Sequence, residues 1–324
     1  MQKIQELLDS QYARFNAEEY LHVYPDPLCI VKNFSAQPLI SEIAFICACY
    51  SYGNAKAIVK NLTNMPLHLF TSQRHVHKDI AKTNDYQHNN SYNKDTAQAL
   101  IKSIESLPLS NFPYYRFQTR FDTKICFLTL AHSIEYGGIY ELFLQGYLQQ
   151  YNVLEGIFSI QKTLERIILE KLQNSLQEYS LTYPATNSSR QLGFKGDSKI
   201  YPRSIQFLFG KKDSDSALKR YNMFLRWMVR KDRIDLGIWD RVSCSNLLLP
   251  VDTHTFRICK RIGLCQTRTA NLKAVLEITN HLRKFDSNDP VKYDFALYRI
   301  GQLKDNILDK VAINDLWRLL RNNL

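Results

Sequence analysis

Apolar positions along this chain recur at steps of three and four, and no run alternates at steps of two. That period is the mark of helices with one buried face. An opening amphipathic helix is predicted to run to about Phe15. Residues 41–50 read as a buried helix, because Ile43-Ala44-Phe45-Ile46-Cys47-Ala48-Cys49 is apolar throughout, and an amphipathic helix at 54–62 follows Gly53. Further helices are expected at roughly 95–106, 121–134, 138–150 and 155–179. In the last of these Ile157, Leu164, Ile167, Ile168, Leu172 and Leu176 stand at helical spacing and are read as core. Tyr24-Pro25-Asp26-Pro27 reads as a turn, since each proline restricts the residue before it. Residues 85–95, rich in Asn, Tyr, His and Ser, read as an exposed loop. Only 11 glycines and 10 prolines interrupt the pattern, and the fold class predicted is all-α.

The segment 183–199, rich in Ser, Asn and Gly, is the best candidate connection between halves. It divides a single two-lobed helical unit, 1–324, into an N-terminal helical part (1–182) and a second part (200–301), followed by a C-terminal helix (302–324). At 324 residues the chain is long enough to bury a sizeable core. Its 42 Lys and Arg against 31 Asp and Glu give a net charge of +11, which suits a polyanionic partner such as nucleic acid. Seven cysteines are scattered with no CxxC pair, which argues for free thiols in a reducing compartment. His75 and His77 have no acidic or cysteine partner nearby and are read as surface residues; no metal site is expected. No apolar run approaches a membrane span, and Met1-Gln2-Lys3 leads into an amphipathic helix in place of a signal sequence. The expectation is a cytoplasmic protein with no membrane contact.

Two segments carry candidate chemistry. In Leu249-Pro250-Val251-Asp252-Thr253-His254-Thr255-Phe256-Arg257, an aspartate stands at the mouth of an amphipathic helix. By itself Asp252 reads as an N-cap, whose carboxylate takes the unpaired amides of the first turn. Phe256, Cys259 and Ile262 form its apolar stripe, and Gly263 is suited to close it in a left-handed conformation. Upstream, Lys219-Arg220-Tyr221-Asn222-Met223-Phe224-Leu225-Arg226-Trp227-Met228-Val229-Arg230 is also amphipathic. Lys219, Asn222, Arg226, Arg230 and Arg233 fall on one face, read either as a solvated basic face or as a phosphate track. Lys219 follows Ser214, Asp215 and Ser216, so it should open its helix, where the dipole disfavours an ammonium; Arg220 and Arg226 would add like charge.

The Val-Asp-Thr-His-Thr-Phe-Arg string closely resembles the catalytic-aspartate segment of the helix-hairpin-helix DNA glycosylases, the endonuclease III superfamily. Lys219 and Asn222 match the lysine and asparagine of that superfamily's Lys-Thr-Ala-Asn pattern. The 33-residue step from Lys219 to Asp252 looks more like the archaeal 8-oxoguanine DNA glycosylases, with residues 230–239 as the insertion. The chain also looks like a bacterial family of unknown function within the superfamily, and Asp26-Pro27-Leu28, Tyr52-Gly53 and Asp289-Pro290-Val291-Lys292-Tyr293-Asp294-Phe295-Ala296-Leu297 read as its signatures. The resemblance implies two helical lobes flanking a DNA-binding cleft, a monomer acting on double-stranded DNA with a damaged base, and no cofactor. Lys219 would form a Schiff base and Asp252 would activate it, in a DNA N-glycosylase with AP lyase activity and an oxidised purine as the favoured base. The alternative is a non-catalytic nucleic-acid-binding protein that keeps the fold.

Around this pair, Arg220, Arg226, Arg230, Lys231, His254 and Arg257 are expected to contact DNA. Tyr221, Trp227, Phe45 and Tyr52 are candidates for the base pocket. The superfamily's Pro-Gly-x-Gly turn is replaced by Phe209-Gly210-Lys211-Lys212-Asp213-Ser214-Asp215, so Lys211, Lys212 and the helix start are expected to grip phosphate in its place. The four-cysteine cluster that holds iron–sulfur in many relatives is absent.

Overall fold

Polar side chains start several of the helices. Asn54, Thr119, Asn152, Asp252 and Asn271 each precede a helix and accept hydrogen bonds from its first amides. A computed structural model describes residues 1–23, 25–71, 86–182, 201–211 and 214–302, with side chains omitted at 86–93, 178–182 and 299–302. In chain order the helices are α1 (Gln2–Phe15), α2 (Tyr20–Val23), α3 (Leu28–Lys32), α4 (Ile40–Cys49) and α5 (Ala55–Thr63). Next come α6 (Tyr86–Ser106), α7 (Arg120–Ser133), α8 (Gly138–Gln150), α9 (Val153–Lys171), α10 (Gln173–Thr182) and α11 (Arg203–Phe209). The last four are α12 (Lys219–Val229), α13 (Thr253–Arg261), α14 (Leu272–Arg283) and α15 (Asp294–Gln302). Among the described residues there is no strand, only isolated bridges, so the fold is all-α. No described helix is long and apolar enough to cross a membrane.

The chain forms two compact units, Pro25–Ser214, and Met1–Tyr24 with Asp215–Leu324. The sequence reading placed α1 with the N-terminal part, whereas it packs with the C-terminal part. The reason is long-range: α1 lies against α15, Tyr293 donates its hydroxyl to Asp9 (2.8 Å), and Gln5 donates to the Phe285 carbonyl (3.1 Å). The proposed connection at 183–199, the pair His75 and His77, Lys212 and residues 303–324 of the expected terminal helix lie outside the described residues.

In the Pro25–Ser214 unit, α8 and α9 form a helical hairpin so close that it needs two glycines. A Cβ on Gly146 would stand 2.2 Å from the Glu155 carbonyl oxygen, and one on Gly156 would stand 2.4 Å from Phe143. The α9 stripe of Ile157, Leu164, Ile167 and Ile168 is buried, as its spacing predicts, with Leu172 and Leu176 buried beyond it. The single helix expected over 155–179 is broken at Leu172 into α9 and α10. Buried Glu42 of α4 accepts the Ile139 amide (2.9 Å) at the start of α8, and burial raises its pKa. Of the loop expected at 85–95, residues 86–95 instead form the first half of α6. Ala97, Leu100, Ile101 and Ile104 bury the second half, and once a helix is nucleated there its extension through polar residues adds one bond per residue fixed.

Candidate active site

Lys219 is the first residue of α12, as its place after Ser214, Asp215 and Ser216 implies. The entry to this helix is tight. Leu218 adopts a left-handed conformation (φ 49°, ψ 31°), which costs a non-glycine residue about 1–2 kcal/mol. Several bonds hold it there. Ser216 Oγ accepts the Leu218 amide (3.3 Å), and the Leu218 carbonyl accepts the Asn222 amide (3.0 Å). The Asn222 side chain donates to the Ala217 carbonyl (3.1 Å). Asn222 is buried and its Oδ1 has no partner among the described residues. The asparagine that matches the glycosylase pattern is therefore a clamp on the turn that aims Lys219. Just upstream, Asp215 accepts the Leu272 amide (3.0 Å), tying the segment to the start of α14. Lys219 itself is half-exposed and makes no hydrogen bond or ion pair among the described residues.

Asp252 is the N-cap of α13. Both helix amides go to one oxygen: Oδ1 accepts from His254 (2.9 Å) and Thr255 (2.8 Å). Oδ2 accepts no hydrogen bond among the described residues, so capping leaves half of the carboxylate available. The backbone leading to it is fixed, with Leu249 and Val251 buried and the Leu249 amide donating to Thr279 of α14 (3.1 Å). At the far end Gly263 (φ 78°) closes the helix, and the Leu264 amide reaches back to the Cys259 carbonyl (2.8 Å), the pattern of a Schellman closure.

A second carboxylate joins this pair. Asp294, the first residue of α15, is buried, and burial raises its pKa; the charges of Arg226 and Lys219 oppose that rise and the charge of Asp252 adds to it. The two candidate groups, 33 residues apart in sequence, thus both act on one buried carboxyl within one unit. The sequence marked Asp294 only as part of a family-like string, since nothing local indicates that α15 packs on α13.

The basic face of α12 does not match either expectation. Arg226 and Arg230, assigned to phosphate contacts or to solvent, are each 4% exposed and enclosed by carboxylates. Arg226 donates to Asp235 (3.2 Å) and to Asp294. Arg230 pairs with Asp289 (2.9 Å), Asp232 (3.0 Å) and Asp235. Asp235 is fully enclosed, and burial outweighs the two guanidiniums, raising its pKa to about 6. The assignment of these arginines to DNA is corrected: their charges are used inside the unit, and Arg226 is not a source of unbalanced like charge beside Lys219. Residues 230–239, read as an insertion, fold back on α12, where the Leu236 and Trp239 amides donate to the Trp227 and Met228 carbonyls (2.9 and 2.8 Å).

Of the other DNA-contact candidates, Lys231, His254 and Arg257 are exposed and Arg220 is half-buried, all in the same unit as Lys219. Lys211 is exposed in the Pro25–Ser214 unit. The base-pocket candidates are corrected in three of four cases. Trp227, Tyr221 and Phe45 are buried in the core, Phe45 stacked on Phe209 at 6.3 Å, because the long apolar stripes that carry them face inward. Only Tyr52 is half-exposed.

The sequence profile of a family described as "Protein of unknown function (DUF2400)" matches residues 26–303. The chain belongs to this family. The match covers both Lys219 and Asp252 and the signatures from Asp26 to Leu297. No curated protein and no solved structure matches the chain.

Proposed function

We propose that this protein is a DNA N-glycosylase with AP lyase activity, built on a two-lobed helix-hairpin-helix architecture and acting on an oxidised purine such as 8-oxoguanine. The observation that carries the reading is the pairing in one unit of an unpartnered lysine at a helix start with an aspartate whose second oxygen is open. A lysine that attacks a sugar does so as the free amine. In the proposed reaction the neutral Lys219 amine attacks C1′ of the damaged nucleotide. The C1′–N bond breaks and its electron pair leaves with the base. Asp252 takes the proton released by the new C1′–N bond and stabilises the cationic sugar as it forms. The Lys219 nitrogen pair then forms C1′=N as the C1′–O4′ bond breaks and O4′ takes the proton held by Asp252; loss of a C2′ proton from this imine expels the 3′ phosphate by β-elimination. Asp294 is a positioning residue here, holding a carboxyl beside both groups, and Asn222 fixes the turn from which Lys219 projects.

The choice of base rests on the resemblance alone. A gel assay on duplexes carrying 8-oxoguanine, uracil or an abasic site tests the reading. Strand cleavage of a damaged duplex is expected, with none for Lys219→Gln. Binding without cleavage would favour a nucleic-acid-binding protein that keeps the fold, and neither binding nor cleavage would leave Asp252 as a helix cap only.

A further inference from the structure

A second concentration of chemistry lies in the Pro25–Ser214 unit. Residues 115–118 form a tight turn closed by reciprocal backbone bonds, Tyr115 N–H to Gln118 O and Gln118 N–H to Tyr115 O, both 2.9 Å. Arg116 and Phe117 occupy its tip, Arg116 with a left-handed φ of 54° that side chains rarely adopt. Phe117 is 53% exposed and Phe207 of α11 is 40% exposed, and their rings meet edge to face at 5.4 Å. Tyr52 joins both, stacked parallel on Phe117 at 6.1 Å and edge-on to Phe207 at 5.0 Å. The Arg116 guanidinium lies 6.0 Å from the centre of the Tyr52 ring and 5.7 Å from that of Phe117. Gly53 makes room for it: its φ is +104°, and a Cβ there would stand 2.8 Å from Arg116 Nη1. The Tyr115 hydroxyl donates to the Tyr52 carbonyl (2.7 Å) and the Tyr52 hydroxyl to the Tyr115 carbonyl (3.3 Å), so the platform is fixed from below.

Large rings left at a surface around an arginine are not explained by core packing, and contiguous exposed apolar area of this kind marks interaction sites. The charge around them selects the partner. The segments that build the cluster, 43–71, 106–121 and 201–211, contain no Asp or Glu, but carry Lys56, Lys60, Arg116, Arg120, Arg203 and Lys211. Arg203 is exposed one helical turn from Phe207 on α11. The adjoining carboxylate of Asp122 is buried and taken up by Ser204 and Thr119, so the exposed rings are bordered by cations. Flat π-surfaces of this kind match a strand with unpaired bases: each base offers a face to stack, and each phosphate a charge to neutralise. We propose that the Tyr52–Phe117–Phe207 cluster is a stacking platform for an unpaired nucleobase of a nucleic-acid strand, with Arg116 on an adjoining phosphate. Because the rings are held before binding, little side-chain ordering opposes the contact. The proposal does not depend on the chemistry at Lys219 and Asp252.

Fluorescence anisotropy of the full chain with a labelled oligothymidylate, and with the same strand fully paired, tests it. The unpaired strand is expected to bind more tightly. Phe117→Ala and Phe207→Ala should each weaken it by roughly 5- to 100-fold, as loss of one stacked base does elsewhere, with the melting temperature unchanged. Phe117→Trp, which keeps a stacking face, should retain binding. Arg116→Gln should flatten the dependence of log affinity on log salt by about 0.7, the value for one single-strand phosphate contact. Absence of binding to the oligothymidylate, or equal binding by the Phe117→Ala/Phe207→Ala double variant, overturns the proposal. So does ring-dependent binding found on phosphatidylserine vesicles and not on the oligonucleotide. A failure of strand cleavage would remove the glycosylase reading while leaving these affinities as expected.

Discussion

The two ends of α12 carry similar residues in opposite arrangements. At its start Lys219 is half-exposed and makes no hydrogen bond or ion pair among the described residues, and its charge, like that of Asp252, acts on the buried carboxyl of Asp294. At its end Arg226 pairs with Asp235 and Asp294, and Arg230 with Asp232, Asp235 and Asp289. One end is closed by ion pairs; the other leaves the Lys219 amine and one Asp252 oxygen without a hydrogen-bond partner among the described residues. Asp294 belongs to both, accepting from Arg226 while feeling the charge of Lys219. Basic residues at three- and four-residue spacing therefore say nothing by themselves about function. What decides is whether the fold brings them acids.

The comparison is broken most sharply at its open end. Asp252→Asn keeps a capping side chain, since Asn caps about as well as Asp, so thermal unfolding should move little. Base-excision rates should nonetheless fall by about 10²- to 10⁴-fold, the usual worth of a positioned acid–base group, as read by single-turnover kinetics on a damaged duplex. A variant that keeps its rate would reduce Asp252 to a cap.

The closed end should respond in stability. Arg230→Ala leaves Asp232 and Asp289 without their guanidinium and Asp235 with that of Arg226 alone, and removal of one partner from a buried ion pair costs about 3–5 kcal/mol. Urea unfolding monitored by circular dichroism measures this, and a loss under about 1 kcal/mol would mean the network contributes little. Asp294→Asn sits between the two ends. It keeps the size of the side chain but turns one charged contact of Arg226 into a neutral one, for which about 1–3 kcal/mol is expected, together with a lowered excision rate. Equal stability at an unchanged rate would separate Asp294 from both ends.

The smallest effect is predicted where the basic face does reach solvent. Lys231 is exposed. If it meets phosphate, Lys231→Gln should leave unfolding unchanged and reduce the slope of log duplex affinity against log salt by about 1. An unchanged slope would take Lys231 off the DNA track as the structure takes off Arg226 and Arg230.

What was legible in the sequence was what is local. The cap at Asp252, the closure at Gly263 and the helix start at Lys219 depend on a few neighbouring residues, and each stands where the pattern predicts. The all-α class followed from periodicity alone. The burial of Arg226 and Arg230 was not legible, because their partners Asp289 and Asp294 come from 59 and 68 residues away. The same holds for α1, whose contacts to Phe285 and Tyr293 span about the whole chain. Nor could the sequence separate aromatic rings in the core from those at the surface. Trp227 and Phe207 both lie in apolar helical segments, and only the packing shows that the first is buried and the second exposed.

The claim that the open end of α12 is the reacting end is tested most directly by borohydride trapping on a damaged duplex, with the linked peptide mapped by mass spectrometry. Reduction is expected to leave a covalent protein–DNA adduct on the peptide containing Lys219. Lys219→Gln should lose the adduct while binding the duplex nearly as tightly and unfolding at the same urea concentration. An adduct of undiminished yield in Lys219→Gln, or one mapped to another lysine, would contradict the account.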